Sequence, residues 1–270
     1  MNDILLRSLT GAAFVGLILG GLYLGEYTTV AVISLFTILG LLEFFRLFRN
    51  HPKYAPDEKI AAVGGVSILF VLIYVRWGYL DFKYLVLLFP LVFLAFIPEL
   101  FRKSKAPIAN VALTAFGWLY VILPLFLVIS LKPTFPQEGD WLVPAGMFAI
   151  IWCNDTFAYL TGRLLGKNKL FERISPKKTW EGTIGGIVFA TSAGLLFSYL
   201  TDMSLIFWLP AAFLAAFGAI FGDLFESMIK RSLGIKDSGN ILPGHGGILD
   251  RFDATLFAAP LFFTWYIICI

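Results

Sequence analysis

The stretch from residue 223 to 253 holds the densest set of residues able to do chemistry. Asp223, Glu226, Ser227 and Lys230 recur at i, i+3, i+4 and i+7, so on one continuing helix they share a face. Lys236 and Asp237 follow, then the glycine-rich run Pro243-Gly244-His245-Gly246-Gly247. Asp250-Arg251-Phe252-Asp253 closes the stretch, its two aspartates standing at i, i+3. Carboxylates interleaved with lysines and arginines point to an oxygen-ligand site for magnesium beside a clamp for phosphate. Glycines let the backbone come close to a ligand. Asp250 and Asp253 repel each other unless a cation or an arginine stands between them. The competing explanation is a salt-bridge network at a membrane surface.

A second basic stretch, 163–181, carries Arg163, Lys167, Lys169 and Arg173, then Ser175-Pro176-Lys177-Lys178-Thr179-Trp180-Glu181-Gly182. Ser175 suits a helix N-cap and Pro176 the first helical position. Lys177 and Lys178 would then sit in a first turn, where the helix dipole disfavours cations. A bound phosphate would reverse that penalty. The competing explanation is a basic loop facing anionic lipid. Just before this stretch, Asn154 and Asp155 interrupt an apolar run. Asp155 lies roughly 10 Å along a helix from Gly162, and an ionisable residue inside a span marks a functional site by default. A polar cavity open to the cytoplasm would solvate it.

Other chemistries lack their residues. Gly162 and Gly166 are separated by three residues where a P-loop needs four, and Asn168 stands where that loop needs Ser or Thr. Gly244-His245-Gly246-Gly247 looks like a lipase oxyanion loop, but the chain has no G-x-S-x-G. It has no H-E-x-x-H either, and His245 alone offers zinc too few partners. Cys153 and Cys269 sit in apolar runs and form no disulfide framework.

The elements that must hold these residues are membrane helices. The 270 residues are 59% hydrophobic and only 14% charged, against about 25% charged in a soluble domain. One globule cannot hide that much apolar surface, which excludes a water-soluble enzyme. Nine apolar runs appear: 9–25, 27–42, 60–75, 84–98, 106–131, 141–162, 182–201, 203–222 and 254–270. None alternates with period two, so helices are expected rather than a barrel. The first run is expected to span rather than be cleaved as a signal peptide. Of the 21 Lys and Arg residues, all but Arg76, Lys83 and Lys132 fall on one side of this nine-span arrangement. The positive-inside rule then puts the N-terminus in the cytoplasm and the C-terminus outside. Residues 1–140 read as a scaffold of about five helices. Residues 141–270 read as the working half, about four helices with cytoplasmic loops 163–181 and 223–253. The segment 51–59, His51 included, reads as a solvated connector.

The run from Ser227-Met228-Ile229-Lys230-Arg231 through Lys236-Asp237 to Pro243-Gly244-His245-Gly246-Gly247-Ile248-Leu249-Asp250-Arg251-Phe252-Asp253 resembles the signature of the phosphatidate cytidylyltransferase (CDP-diacylglycerol synthase) family. Ser175 to Gly182 resembles a second motif of that family. The resemblance implies that CTP and phosphatidate give CDP-diacylglycerol and pyrophosphate. It implies magnesium, with a second cation left open, a bacterial-type cytoplasmic membrane and a homodimer. CTP, phosphatidate and membrane lipids would be the partners, and no nucleic acid. The lipid phosphate would be the nucleophile. Its second pKa is near roughly 6, so it needs charge neutralisation more than a general base.

On that reading Asp223 and Asp250 bind metal, with Asp155 and Asp253 as further candidates. Lys177, Lys178, Lys230, Arg231, Lys236 and Arg251 clamp phosphates. Ser175, Thr179, Asn154, Asp155 and Glu181 serve the nucleotide. His245, Gly244, Gly246 and Gly247 shape a loop over the triphosphate, and Asp237 completes the set. The alternatives are a CTP-dependent lipid kinase, a membrane transporter, for which an inverted repeat is lacking, and a structural membrane protein.

Overall fold

The computed structural model describes residues 3–133, 138–201, 203–239, 241, 242, 244 and 246–270. The chain divides into two compact units. The first comprises Met1–Gly21, Tyr27–Ser130 and Asp237–Asp250; the second comprises Leu22–Glu26, Leu131–Lys236 and Arg251–Ile270.

The first unit is built from α1 (Asp3–Tyr23), α2 (Glu26–Arg46), α3 (Glu58–Arg76), a 3-10 stretch (Phe82–Leu87), α4 (Leu88–Phe101), α5 (Pro107–Gly117), a π stretch (Trp118–Ile122) and α6 (Leu123–Ser130). Helix α1 runs on through Leu22 and Tyr23, which belong to the second unit. Asp57 caps α3 by accepting from the amides of Lys59 and Ile60, two donors that the helix leaves open. Pro107 opens α5, where its missing N–H costs nothing. Phe44, Phe45, Leu41, Val121, Ile122 and Leu125 fill the interior. Trp118 joins them and donates from Nε1 to the Ala61 carbonyl at 2.7 Å, the partner a buried indole needs. The segment 51–59, expected as a solvated connector, is only partly exposed: Pro56 is buried, and Glu58 and Lys59 already belong to α3. His51 Nδ1 accepts from the Tyr54 amide at 2.9 Å, and the ring stacks on Tyr54.

The second unit is built from α7 (Leu142–Leu165), β1 (Lys169–Phe171), β2 (Ser175–Thr179), α8 (Trp180–Leu200), α9 (Leu205–Ser232) and α10 (Leu249–Cys269). The first two residues of α10 belong to the first unit. Trp208, Phe148, Phe252 and Phe262 are buried. Lys132 is buried as well. It donates to the Leu22 carbonyl at 2.6 Å and pairs with Asp140 at 3.1 Å, so its charge is neutralised where it lies.

Among the described residues, eight helices are long and apolar enough to cross a membrane. The protein is a polytopic all-α membrane protein. Each of the nine expected runs is helical, with Pro107–Ser130 crossing as one span. The run not counted among the eight is α7, whose Asn154 and Asp155 lower its apolarity.

One expectation is corrected here. No helix begins at Ser175. Residues Ser175–Thr179 form β2, which pairs antiparallel with β1, Lys169 opposite Thr179 and Phe171 opposite Ser175. The helix begins at Trp180, and Thr179 is its cap, with Oγ1 accepting from the Gly182 amide at 3.2 Å. Lys177 and Lys178 therefore precede the helix and do not occupy its first turn. Backbone pairing across the hairpin satisfies groups that a Ser-Pro helix start would have left to the side chain.

Candidate active site

Within the second unit, two helices meet at glycines. A side chain at Gly218 would stand 2.7 Å from the Ala258 Cα, and one at Gly222 would collide with the Asp253 carbonyl. Only bare backbone lets α9 and α10 come this close. That approach sets Asp223, the next residue on α9, beside Asp253 on α10. Asp253 interacts electrostatically with Asp223, Glu226 and Asp155.

The hairpin supplies the balancing charge. Successive residues of a strand point to opposite faces. Lys177 is exposed on one face, while Lys178 turns to the other and pairs with Asp223, Nζ to Oδ2 at 2.5 Å. Asp155, on α7, interacts with Asp223, Lys178 and Arg251. Its neighbour Asn154 is buried. The Asn154 amide reaches Asp155 at 3.4 Å, and its Oδ1 has no hydrogen-bond partner among the described residues. That oxygen lies against Gly186 of α8, where a side chain would meet it at 2.8 Å.

Further along the same face of α9, Ser227 donates to Asp223 Oδ1 at 3.3 Å, and the buried Glu226 pairs with Lys230. The shared face expected for Asp223, Glu226, Ser227 and Lys230 is therefore present. Asn154, Asp155, Lys178, Asp223, Arg251 and Asp253 come together, with Glu226 and Lys230 behind them.

The other expected residues have settings of their own. Glu181 accepts from the amides of Lys167 and Asn168 and from the Asn168 side chain at 2.7 Å, which fastens the start of the hairpin to α8. Thr179 is engaged as the cap. Ser175 is partly buried in β2. Arg231 donates to the Ile235 carbonyl at 3.0 Å and closes the end of α9. Lys236 and Asp237 are exposed. His245 and Pro243 lie outside the described residues.

Asp250, Gly246 and Gly247 belong to the first unit, and their setting is described by itself. Asp250 Oδ2 accepts from the Gly247 amide at 2.8 Å and the Ser238 amide at 3.1 Å. Gly244 and Gly246 both have positive φ, and the Leu242 amide donates to the Gly246 carbonyl at 3.0 Å. The turn thus requires glycine at these two positions. A second carboxylate in this unit was not among the expected site residues. Glu43 of α2 is 2% exposed and accepts from the amides of Ile248 at 2.8 Å and Leu249 at 3.1 Å, and from the Ser238 hydroxyl. The signal for it was an acid inside the run Gly40-Leu41-Leu42-Glu43-Phe44-Phe45.

Among the described residues, no three His, Cys, Asp or Glu side chains converge as a metal cage. Magnesium does not require one when it arrives on phosphates. It keeps waters and takes one or two carboxylates. The hard oxygen donors of Asp155, Asp223 and Asp253, of which Asp223 pairs with Lys178, suit that ion.

The cytidylyltransferase family model matches residues 5–269, and the chain belongs to that family. A Staphylococcus haemolyticus (strain JCSC1435) protein named phosphatidate cytidylyltransferase is 50% identical over 117 residues. That stretch is 42% of this chain and 45% of the relative. Proteins of the same name from Staphylococcus saprophyticus subsp. saprophyticus and Staphylococcus aureus (strain COL) are 49% and 50% identical over the same length. The chain therefore spans somewhat under half the length of the curated relatives it matches.

Proposed function

We propose that the chain transfers a cytidylyl group from CTP to phosphatidate, giving CDP-diacylglycerol and pyrophosphate. The observation that carries this reading is the pair between Lys178 and Asp223, set beside Asp155 and Asp253. It joins the two family-like motifs into one charged site. Such a site suits two polyanions that must meet.

In the reaction an oxygen of the lipid phosphate attacks the α-phosphorus of CTP, and the bond to the β-phosphate oxygen breaks as pyrophosphate leaves. One or two of the carboxylates of Asp223, Asp253 and Asp155 would hold magnesium, which neutralises phosphate charge when bound; Asp250, in the first unit, is proposed as a metal ligand on its own account. Lys178, Arg251 and Lys230 attract and orient phosphate oxygens. Exposed Lys177 and Lys236 collect the incoming anions. The Asn154 Oδ1 is an acceptor awaiting a donor, and an amino group of the nucleotide would supply one.

The site is read as facing the cytoplasm from the inner membrane, in a homodimer. Residues 141–270 would do most of the work. The lipid tails must stay in the bilayer, so the head group enters through a lateral opening.

The test is a product assay on the purified protein in detergent with CTP, phosphatidate and magnesium. Phosphatidate-dependent pyrophosphate release with cytidine in the lipid is the expected result. CDP release with a phosphorylated lipid would move the protein to lipid kinases. Folded protein giving neither product would overturn both readings and return attention to transport.

A further inference from the structure

We infer that Glu43 is a positioning residue for this reaction, holding the Ser238–Asp250 turn and the start of α10 from a distant helix. The inference rests on the cytidylyl-transfer reading proposed above.

A helix begins with backbone N–H groups that have no partner inside it. Usually a side chain just before the helix accepts from them. At α10 the residues just before it are Gly246, Gly247 and Ile248, which offer no such side chain. The acceptor comes instead from α2. Glu43 takes the amides of Ile248 and Leu249, one on each oxygen, and the Ser238 hydroxyl as a third donor. A negative charge at a helix N-terminus is favoured by the helix dipole as well.

The fit is made by the surrounding residues. A side chain at Gly247 would collide with Glu43 Oε1 and Ser238 Oγ, and one at Gly239 would stand 2.9 Å from the Glu43 carboxyl carbon. At Gly40, one turn earlier on α2, an added side chain would stand 3.6 Å from Ile248 and Leu249. Asp250 then ties the same turn from its other side, through the Ser238 and Gly247 amides. Ser238 is the hinge of this arrangement, its hydroxyl on Glu43 and its amide on Asp250. Glu43 touches no expected substrate group. It acts through the backbone that carries Asp250.

The test compares wild type, Glu43→Gln and Ser238→Ala as full chains in detergent. Glutamine keeps the shape of Glu43 but gives one acceptor where two are used. The serine change removes one donor without disturbing α2. Amide hydrogen exchange is read on peptides covering 246–252, and kcat and KM are measured with CTP and phosphatidate.

In both variants exchange at 246–250 should quicken at least tenfold while α3 and α9 keep wild-type rates. The kcat should fall at least tenfold with KM for CTP within threefold. A residue that merely stabilises the fold would quicken exchange throughout and leave kcat per folded molecule unchanged. Unchanged exchange at 246–250, or kcat within threefold of wild type, overturns the inference. If Glu43→Gln does not fold, Ser238→Ala decides it by the same two readouts. If the wild type transfers no cytidylyl group, the proposed function fails by itself, and exchange still decides whether Glu43 holds the turn.

Discussion

Asp223 has polar neighbours of different kinds: Lys178 from the hairpin, Ser227 on its own helix, Asp253 across from it and Asp155 on α7. Replacing it by Asn keeps the size and the Ser227 contact but removes the charge. Preorganised electrostatic groups of this sort are worth about 100-fold or more in rate. Asp223→Asn should therefore lose at least about 100-fold in cytidylyl transfer while the protein still accumulates folded in membranes. Asp250→Asn should do the same through the metal it is proposed to hold. Near-normal turnover in either variant would remove that residue from the site. Chelating magnesium with EDTA should abolish transfer, and adding it back should restore the rate. Transfer that persists in EDTA would refute the metal assignment.

Much of this residue-scale picture is legible in the sequence. The spacing of Asp223, Glu226, Ser227 and Lys230 places them on one face because α9 continues through Ser232. Glu43 is not legible, because its partners lie 195 to 206 residues further along the chain. Composition also cut the second apolar run at Leu42, which left Glu43 looking like the first residue of a loop. The difference between Lys177 and Lys178 is hidden for another reason. A helix would have placed both near one another, whereas a strand sends them to opposite faces, and β1 is too short, at three residues, to announce a hairpin.

At the scale of elements, two junctions decide whether the charged groups meet. The first is Thr179, which ends β2 and caps α8. Removing such a cap costs about 1 kcal/mol. Thr179→Ala should lower the unfolding midpoint by a few degrees, on the order of 2–4 °C per kcal/mol for a chain of this size. It should also weaken transfer, because Lys178 is the residue before it. A variant with an unchanged midpoint would show that the cap contributes nothing to stability. The second junction is Gly222. Its neighbour across the gap is backbone, the Asp253 carbonyl and the Ala254 Cα at 3.1 Å for the latter, and backbone cannot swing aside as a side chain can. Gly222→Ala should cost about 1–3 kcal/mol and reduce transfer by separating Asp223 from Asp253. Wild-type stability and rate together would mean that the helices tolerate a wider spacing. The nine-run reading anticipated α9 and α10 because most of each is an apolar stretch. It could not anticipate which glycines are contacts, since Gly218 and Gly222 look like any other small residues in a span.

For the whole molecule the strongest sequence signal is the distribution of Lys and Arg. Arg76, Lys83 and Lys132 are the exceptions to the positive side, and Lys132 is neutralised by Asp140 within the fold. The proposed topology therefore exposes 51–59, 163–181 and the turn after α9 to the cytoplasm, and 77–83 to the other face. Single cysteines introduced at Lys53 and Lys167, in a chain lacking Cys153 and Cys269, should react with an impermeant thiol reagent only when the cytoplasmic face is open. One at Tyr79 should react only from outside. The reverse pattern would turn the site away from its nucleotide. Cys153 and Cys269 are free, so removing them breaks no bridge.

The reach of Glu43 has a consequence for how the chain is made. At roughly 5–20 residues per second, the Leu249 amide is synthesised some 10–40 s after the carboxylate that receives it, 206 residues earlier. For that interval Glu43 waits near the end of its helix without the three donors it later takes. The signature turn cannot be assembled piecemeal as each span enters the membrane. It is finished when nearly all of the helices are in place, so a nascent chain arrested before Ile248 has inserted spans and no seat for Asp250.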